Sequence, residues 1–279
     1  MIHFNRTGLA FIGIFCCLSP TQAQSDDWRE QTKLLIYAPR YFGPNAFPLP
    51  ELRDGRVGDR YEIELRGEYH YYEGDRTKDV YARLFVPFAG GRAGLEVSGV
   101  IREDYVMTDG TRAERHAVET RPPIPCYGDV IISSFFQLLK SEKWCDVTFG
   151  SNLKTASGGR LCDARYTDAA TYWFDLTAGR DLVRNAERSA FLRVQALVGF
   201  YCWMTNDPVH RQNDATLYGA GLGAGYKNIL FTCDYSGFYG YEKMGDDPAV
   251  LRCKLNYEYR KNVLSLRFRH GMKDHLYDT

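Results

Sequence analysis

The strongest constraint in this chain is a two-residue rhythm held over unusually long segments. Tyr61, Ile63, Leu65, Gly67, Tyr69 and Tyr71 fall on one face, and Glu62, Glu64, Arg66, Glu68 and His70 on the other. A helix would spread those charges around its circumference, whereas a strand separates them. The split recurs at Leu95, Val97, Gly99 and Ile101 against Glu96, Ser98 and Arg102, and at Leu192, Val194, Ala196, Val198 and Phe200 against Arg193 and Gln195. It returns at Leu251, Cys253, Leu255, Tyr257 and Tyr259 against Arg252, Lys254, Asn256, Glu258 and Arg260. Leu264, Leu266 and Phe268 then oppose Ser265, Arg267 and Arg269.

Such segments occupy 60–73, 78–88, 93–107, 128–140, 143–155, 170–183, 188–204, 214–226, 229–241, 249–260 and 263–271. Strands of globular proteins usually run about five or six residues, while a tilted membrane-crossing strand needs roughly nine to eleven. Length therefore predicts an all-β chain folded as a single antiparallel membrane β-barrel of about twelve strands. Eleven segments are visible, so the twelfth is expected from Lys33–Ala38 or from the Gly271–Thr279 tail, unless the closing strand is lacking. Tight turns at Ala89–Arg92, Ser141–Glu142, Arg184–Glu187, Lys227–Asn228 and Lys261–Asn262 alternate with links at Gly74–Thr77, Thr108–Tyr127, Ala156–Ala169, Thr205–Asn213 and Glu242–Pro248. Short turns of outer-membrane barrels face the periplasm and long loops face outward, which orients the expected barrel.

The N-terminus reads as a secretory signal over residues 1–24: Arg6, an apolar run from Gly8 to Leu18, then Thr21-Gln22-Ala23-Gln24. No later apolar run reaches the length of a membrane helix. Residues 25–59 carry Pro39, Pro44, Pro48 and Pro50 and are expected to form a non-strand segment or plug, with the barrel spanning 60–279. Lysine plus arginine and aspartate plus glutamate both number 35. That balance gives no support for a nucleic-acid partner.

In a membrane barrel the charged faces look inward. Glu62, Glu64, Arg66, Glu68, Arg83, Arg193, Asp234, Arg252, Lys254, Glu258, Arg267 and Arg269 are the candidate lumen residues, joined by Glu96, Arg102, Asp146 and Asp175. They would either close the bore with ion pairs or line a path for a small solute. Cys145, Cys202, Cys233 and Cys253 share parity with apolar neighbours and are expected to face lipid; Cys126 and Cys162 lie in long loops where they could pair. No metal-ligand spacing occurs, and no cofactor is expected. Gly219, Gly221, Gly223 and Gly225 alternate within a strand, which reads as close backbone approach or sheet curvature rather than nucleotide binding.

A lipid hydrolase needs a nucleophile beside a histidine. The candidates are His70, His116, His210, His270 and His275 with Ser133, Ser134, Ser151 or Ser265, and neither G-x-S-x-G nor His-x-Ser is present. A soluble exported ligand-binding barrel is a further alternative. Tyr69, Tyr71, Tyr72, Tyr105, Tyr201, Trp203, Tyr239, Tyr241, Tyr257 and Tyr259 gather near strand ends, as interfacial girdles do.

The Gln22-Ala23-Gln24 ending of the signal, the Tyr41-Phe42-Gly43-Pro44-Asn45-Ala46 segment and the tyrosine-rich strands resemble those of Bacteroidetes-type outer-membrane β-barrel proteins. The resemblance covers most of the chain as architecture, although only Tyr41–Ala46 is motif-like. It implies a barrel in the outer membrane with lipid as its surroundings, and carries over no catalytic residue.

Overall fold

The computed structural model describes residues 32–117, 124–187, 189–205 and 213–279. The expected signal segment lies outside the described residues, as does His210. The strands are β1 (Glu62–Tyr72), β2 (Asp75–Phe88), β3 (Ala93–Met107), β4 (Ile124–Cys126), β5 (Val130–Leu139), β6 (Asp146–Lys154), β7 (Thr171–Asn185), β8 (Ala190–Met204), β9 (Asn213–Tyr226), β10 (Ile229–Gly240), β11 (Pro248–Tyr259) and β12 (Asn262–Lys273). They form one sheet in sequence order, every neighbour antiparallel, with three-residue β4 set aside on β3. One short helix, α1 (Asp109–Arg115), sits between β3 and β4, its first turn capped by the Thr108 side chain. No helix among the described residues is long and apolar enough to cross a membrane.

The sheet is all-β and antiparallel as its rhythm predicts, and its faces segregate. Leu251, Leu255 and Phe268 are exposed on the outside, while Arg252 on the same strand as the first two is buried inside. The sheet wraps residues 32–61, which hold a 3-10 turn at Pro39–Tyr41 and no strand. Phe42 and Phe47 of this inner segment pack with Tyr201, Trp203, Leu217 and Phe238 of the wall to form the largest apolar core. Lys33–Ala38 forms no strand; Leu35 and Ala38 are buried within the same enclosure.

Four further expectations are corrected. Arg102 points outward: Val80 pairs with Arg102 and Tyr81 with Val100, so Ile101 is an extra residue that reverses the faces of the rest of β3. Glu103 and Tyr105, not Arg102, thereby enter the lumen. Tyr105, Tyr201 and Trp203 are fully buried rather than part of a girdle, and Tyr72 packs edge-on against Tyr277. Cys202 is buried beside an irregularity between Cys202 and Met204, not displayed on the outside. Finally, β2 begins at Asp75, so the expected Gly74–Thr77 link shrinks to a turn.

The sheet is drawn together at its long-loop rim by the chain's last residues. Tyr71 and Asp278 exchange both backbone hydrogen bonds (2.7 and 3.0 Å), and Arg269 and Thr279 exchange theirs (2.9 and 2.8 Å). The tail thus lies between β1 and β12 and contributes two paired residues, not a full strand.

Candidate functional site

The lumen is the site to which the strands direct their polar chemistry, and it is filled in two tiers. At the long-loop end the centre is Arg165, carried by the β6–β7 loop and wholly buried. Its Nε and Nη2 donate to Glu103 Oε1 at 2.8 and 2.7 Å, and Nη2 also donates to Thr77 Oγ1 at 2.7 Å. Nη1 pairs with Asp75, which also receives Arg115 of α1 and the Tyr277 hydroxyl. Burial opposes charge on Arg165, but Asp75 and Glu103 outweigh it and hold the guanidinium more firmly protonated than usual. Asn45 of the inner segment bridges Asp79 and Glu103 at 2.7 and 2.9 Å. Every one of these acids comes from β2 or β3, so one loop arginine ties two strands, a helix and the tail into a single network.

Towards the tight-turn end the inner segment makes a turn at Asp54-Gly55, Gly55 having φ +78°. A Cβ at Gly55 would stand 2.5 Å from the Asp146 carbonyl oxygen, so only glycine permits this approach to the wall. Arg193 from β8 donates to the Asp54 carbonyl (2.6 and 2.9 Å), to Asp146 (2.7 Å) and to Asp181 (2.7 Å). Arg56 meets the same Asp146 at 2.6 Å, and Arg53 meets Glu96 at 2.8 Å. Glu51 pairs with Arg267 at 2.6 Å. Partial loss of water inside the lumen would raise the Glu51 pKa, yet Arg267, Arg252 and Arg66 together hold it well below the ordinary carboxylate value.

The expected lumen residues are therefore distributed as follows. Arg83 joins Glu62, Glu64 and Glu96 at 2.6, 2.8 and 2.9 Å. Arg252 joins Asp234 at 2.8 Å, and Arg66 lies by Glu64 and Glu68. Arg269 donates to Thr279 and His70. Glu62, Glu64, Arg66, Glu68, Arg83, Asp234, Arg252, Lys254, Arg267 and Arg269 all line a remaining cavity of about 790 Å³. Gly90, Gly91 and Lys140 from tight turns line it, and so do Asp129, Lys154 and Tyr166 from the long-loop half, so the cavity runs along the lumen. Arg193 is buried against the inner segment beyond it, and Glu258 is exposed near the β11–β12 turn, outside the cluster. Gly219 approaches the inner segment closely: a Cβ there would stand 2.7 Å from Leu52.

No family model matches the chain, and no curated protein matches it. Its chemistry must be read from the site alone.

Sequence reasoning missed Arg165, Asp75, Glu103 and Arg115 because their partners come from loops and from the shifted half of β3. Asp54-Gly55 was a readable turn signal. One arrangement has the connectivity of a hydrolase triad: the Thr279 hydroxyl meets His70 Nδ1 at 2.8 Å, and His70 Nε2 meets Asp79 at 2.6 Å. None of the three lines the cavity, His70 and Asp79 are buried, and Arg269 also donates to the Thr279 hydroxyl. The triad is thus a strut between tail and wall. Glu68, His70 and Asp79 could together face a cation, but both His70 nitrogens are already engaged. Cys126 and Cys162 are buried thiols not joined by a disulfide.

Proposed function

We propose that the chain is an outer-membrane β-barrel whose bore is sealed by its own N-terminal segment, a closed wall element with a charged cavity inside it. The observation that carries this reading is the facing of β11: Leu251 and Leu255 stand exposed outside, while Arg252 is buried inside between Asp234 and the Pro50 carbonyl. A soluble barrel would gain nothing from that inversion, whereas lipid requires apolar contact outside and satisfied backbone throughout. The tight turns would then lie in the periplasm. The resemblance of Tyr41–Ala46 and the tyrosine-rich strands to those of Bacteroidetes-type barrels supports the same assignment.

The seal rests on Phe42, Phe47 and Trp203 at the outer end and on Arg53, Arg56 and Arg193 nearer the periplasm. In planar bilayers the intact protein is expected to give no discrete conductance steps, and steady steps would contradict the sealed bore. After urea washing it is expected to stay with outer membranes; release as a soluble species would contradict the barrel assignment itself. A second role, holding a small charged solute inside the lumen, is favoured by the 790 Å³ cavity, a size typical of ligand sites.

A further inference from the structure

Lys254, on the lumen face of β11, lines the cavity yet makes no hydrogen bond and no ion pair among the described residues. Its neighbours in the sheet account for this. It pairs with Arg267 on β12 and with Thr232 on β10, while Arg252 and Asn256 flank it along its own strand. None of the four is an acid, and two are cations. One step along the ladder Arg252 pairs with Arg269, so two like-charge pairs stand side by side. Directly opposed like charges destabilise a sheet. Elsewhere in the lumen charge meets its opposite, as where Arg83 joins Glu62, Glu64 and Glu96. The acids of this quarter are engaged by other cations: Glu51 by Arg267 at 2.6 Å, Asp234 by Arg252 at 2.8 Å and Glu64 by Arg83 at 2.8 Å.

We propose that Lys254, Asn256 and Thr232 form a site for one oxyanion group, a carboxylate or a phosphate, of a small solute in the lumen. The site rests on the solute-holding role described above and gives that solute its sign. The Ser265 hydroxyl donates to Asn256 Oδ1 at 2.7 Å, which leaves the amide nitrogen as a free donor. The Thr232 hydroxyl lines the cavity and has no hydrogen bond among the described residues. An ammonium, an amide N–H and a hydroxyl thus occupy adjacent positions on one face, with Arg252 and Arg267 beside them as further positive charge. Hydrogen bonds to an ionised acceptor are shorter and stronger than neutral ones, which favours an oxyanion there over water.

The adjoining wall leaves room for the rest of the solute. Gly223 of β9 pairs with Thr232, and a Cβ there would stand 3.4 Å from Gln195 Nε2 and 3.6 Å from Thr232 Cγ2. A side chain at position 223 would therefore enter the lumen beside the site, and glycine yields that volume. Exposed Asp59, Gly90 and Lys140 line the same cavity, so it reaches the tight-turn rim, through which a solute can approach Lys254.

The test is acetylation of the intact protein in detergent micelles by a succinimidyl ester, read lysine by lysine by mass spectrometry. Inorganic phosphate or acetate is added and compared with chloride at equal ionic strength. At least one of the two should slow acetylation of Lys254 saturably, by about tenfold at roughly ten times its Kd, with exposed Lys227 and Lys261 of the tight turns unaffected. Asn256→Asp sets a carboxylate beside Lys254 and should abolish the protection, and Thr232→Val should weaken it. No slowing beyond that of chloride, equal slowing at Lys227 and Lys261, or full protection surviving in Asn256→Asp would each overturn the site. Calorimetric titration with spermidine separates this site from the broader role. A protein that binds the polycation but neither oxyanion keeps the solute-holding role and refutes the anion site, whereas one that binds none of the three contradicts both.

Discussion

Arg193, on β8, reaches across the lumen to close two hydrogen bonds on the carbonyl oxygen of Asp54, 139 residues away in sequence. The same guanidinium pairs with Asp146 and Asp181, so a single wall residue fixes the inner segment and neutralises one buried and one partly buried acid. Replacing it by glutamine keeps some donor capacity but leaves those charges poorly matched. Arg193→Gln is expected to destabilise the folded chain by about 3–5 kcal/mol, the usual cost of breaking a buried pair. Urea titration from micelles measures the loss, and flickering conductance in planar bilayers should accompany the loosened segment.

Arg165 is buried as Arg193 is, and it serves Asp75, Glu103 and Thr77 together. Arg165→Gln is expected to cost a similar ~3–5 kcal/mol, and Arg165→Lys to recover little of it, since an ammonium cannot reproduce the planar fork. The separating measurement is exchange at the tail amides of Asp278 and Thr279. Both substitutions should accelerate it, because Tyr277 shares Asp75 with Arg165.

His275 gives the tail a pH dependence. Burial, aided by Arg269 and His70, holds its pKa well below the usual value of 6.5. An undocked tail takes up a proton that the docked tail refuses, so docking is at full strength above about pH 6.5 and weakens as pH falls below it. Exchange at the Asp278 and Thr279 amides should therefore quicken between pH 7 and pH 5 beyond the intrinsic rate. His275→Asn should reduce that excess; an unchanged excess would assign the effect elsewhere.

Cys233 and Cys253 are directly opposed on β10 and β11, their Sγ atoms 2.7 Å apart on the outward face. Diamide is expected to convert this pair into an intramolecular disulfide, both thiol hydrogens passing to the diamide. Alkylation should then count two fewer thiols than in untreated protein, and Cys253→Ser should leave that count unchanged by the oxidant. An unaltered count in the parent protein would contradict the opposed register.

The strands were legible because lipid-length segments with strict alternation leave little choice of structure. Leu251 against Arg252 and Leu264 against Arg267 could be assigned to faces from parity alone. Parity failed at Arg102, where one inserted residue, Ile101, turned Glu103 and Tyr105 inward; a bulge leaves no mark in composition. It failed again for Tyr201 and Trp203, which lie near a strand end yet face Phe47, Trp173 and Phe238. Proline content marked residues 25–59 as something other than strand, yet nothing in that stretch reveals which wall residues meet it. The largest omission, Arg165, lies in a loop with no periodicity, and its partners are set by tertiary approach. The shortfall of one strand was visible in the odd count, but the two-residue tail pairing was not.

The account depends on which face of the sheet meets lipid, and spin-label accessibility along β11 tests this most directly. Nitroxides would be placed singly at positions 251 to 256 in a cysteine-free background reconstituted into phospholipid bilayers. Labels at 251, 253 and 255 should collide readily with oxygen and scarcely with a water-soluble nickel chelate, while those at 252, 254 and 256 should show little oxygen collision. Strong nickel collision at 251 and 255, equal to that of a label in bulk water, would contradict the membrane barrel outright.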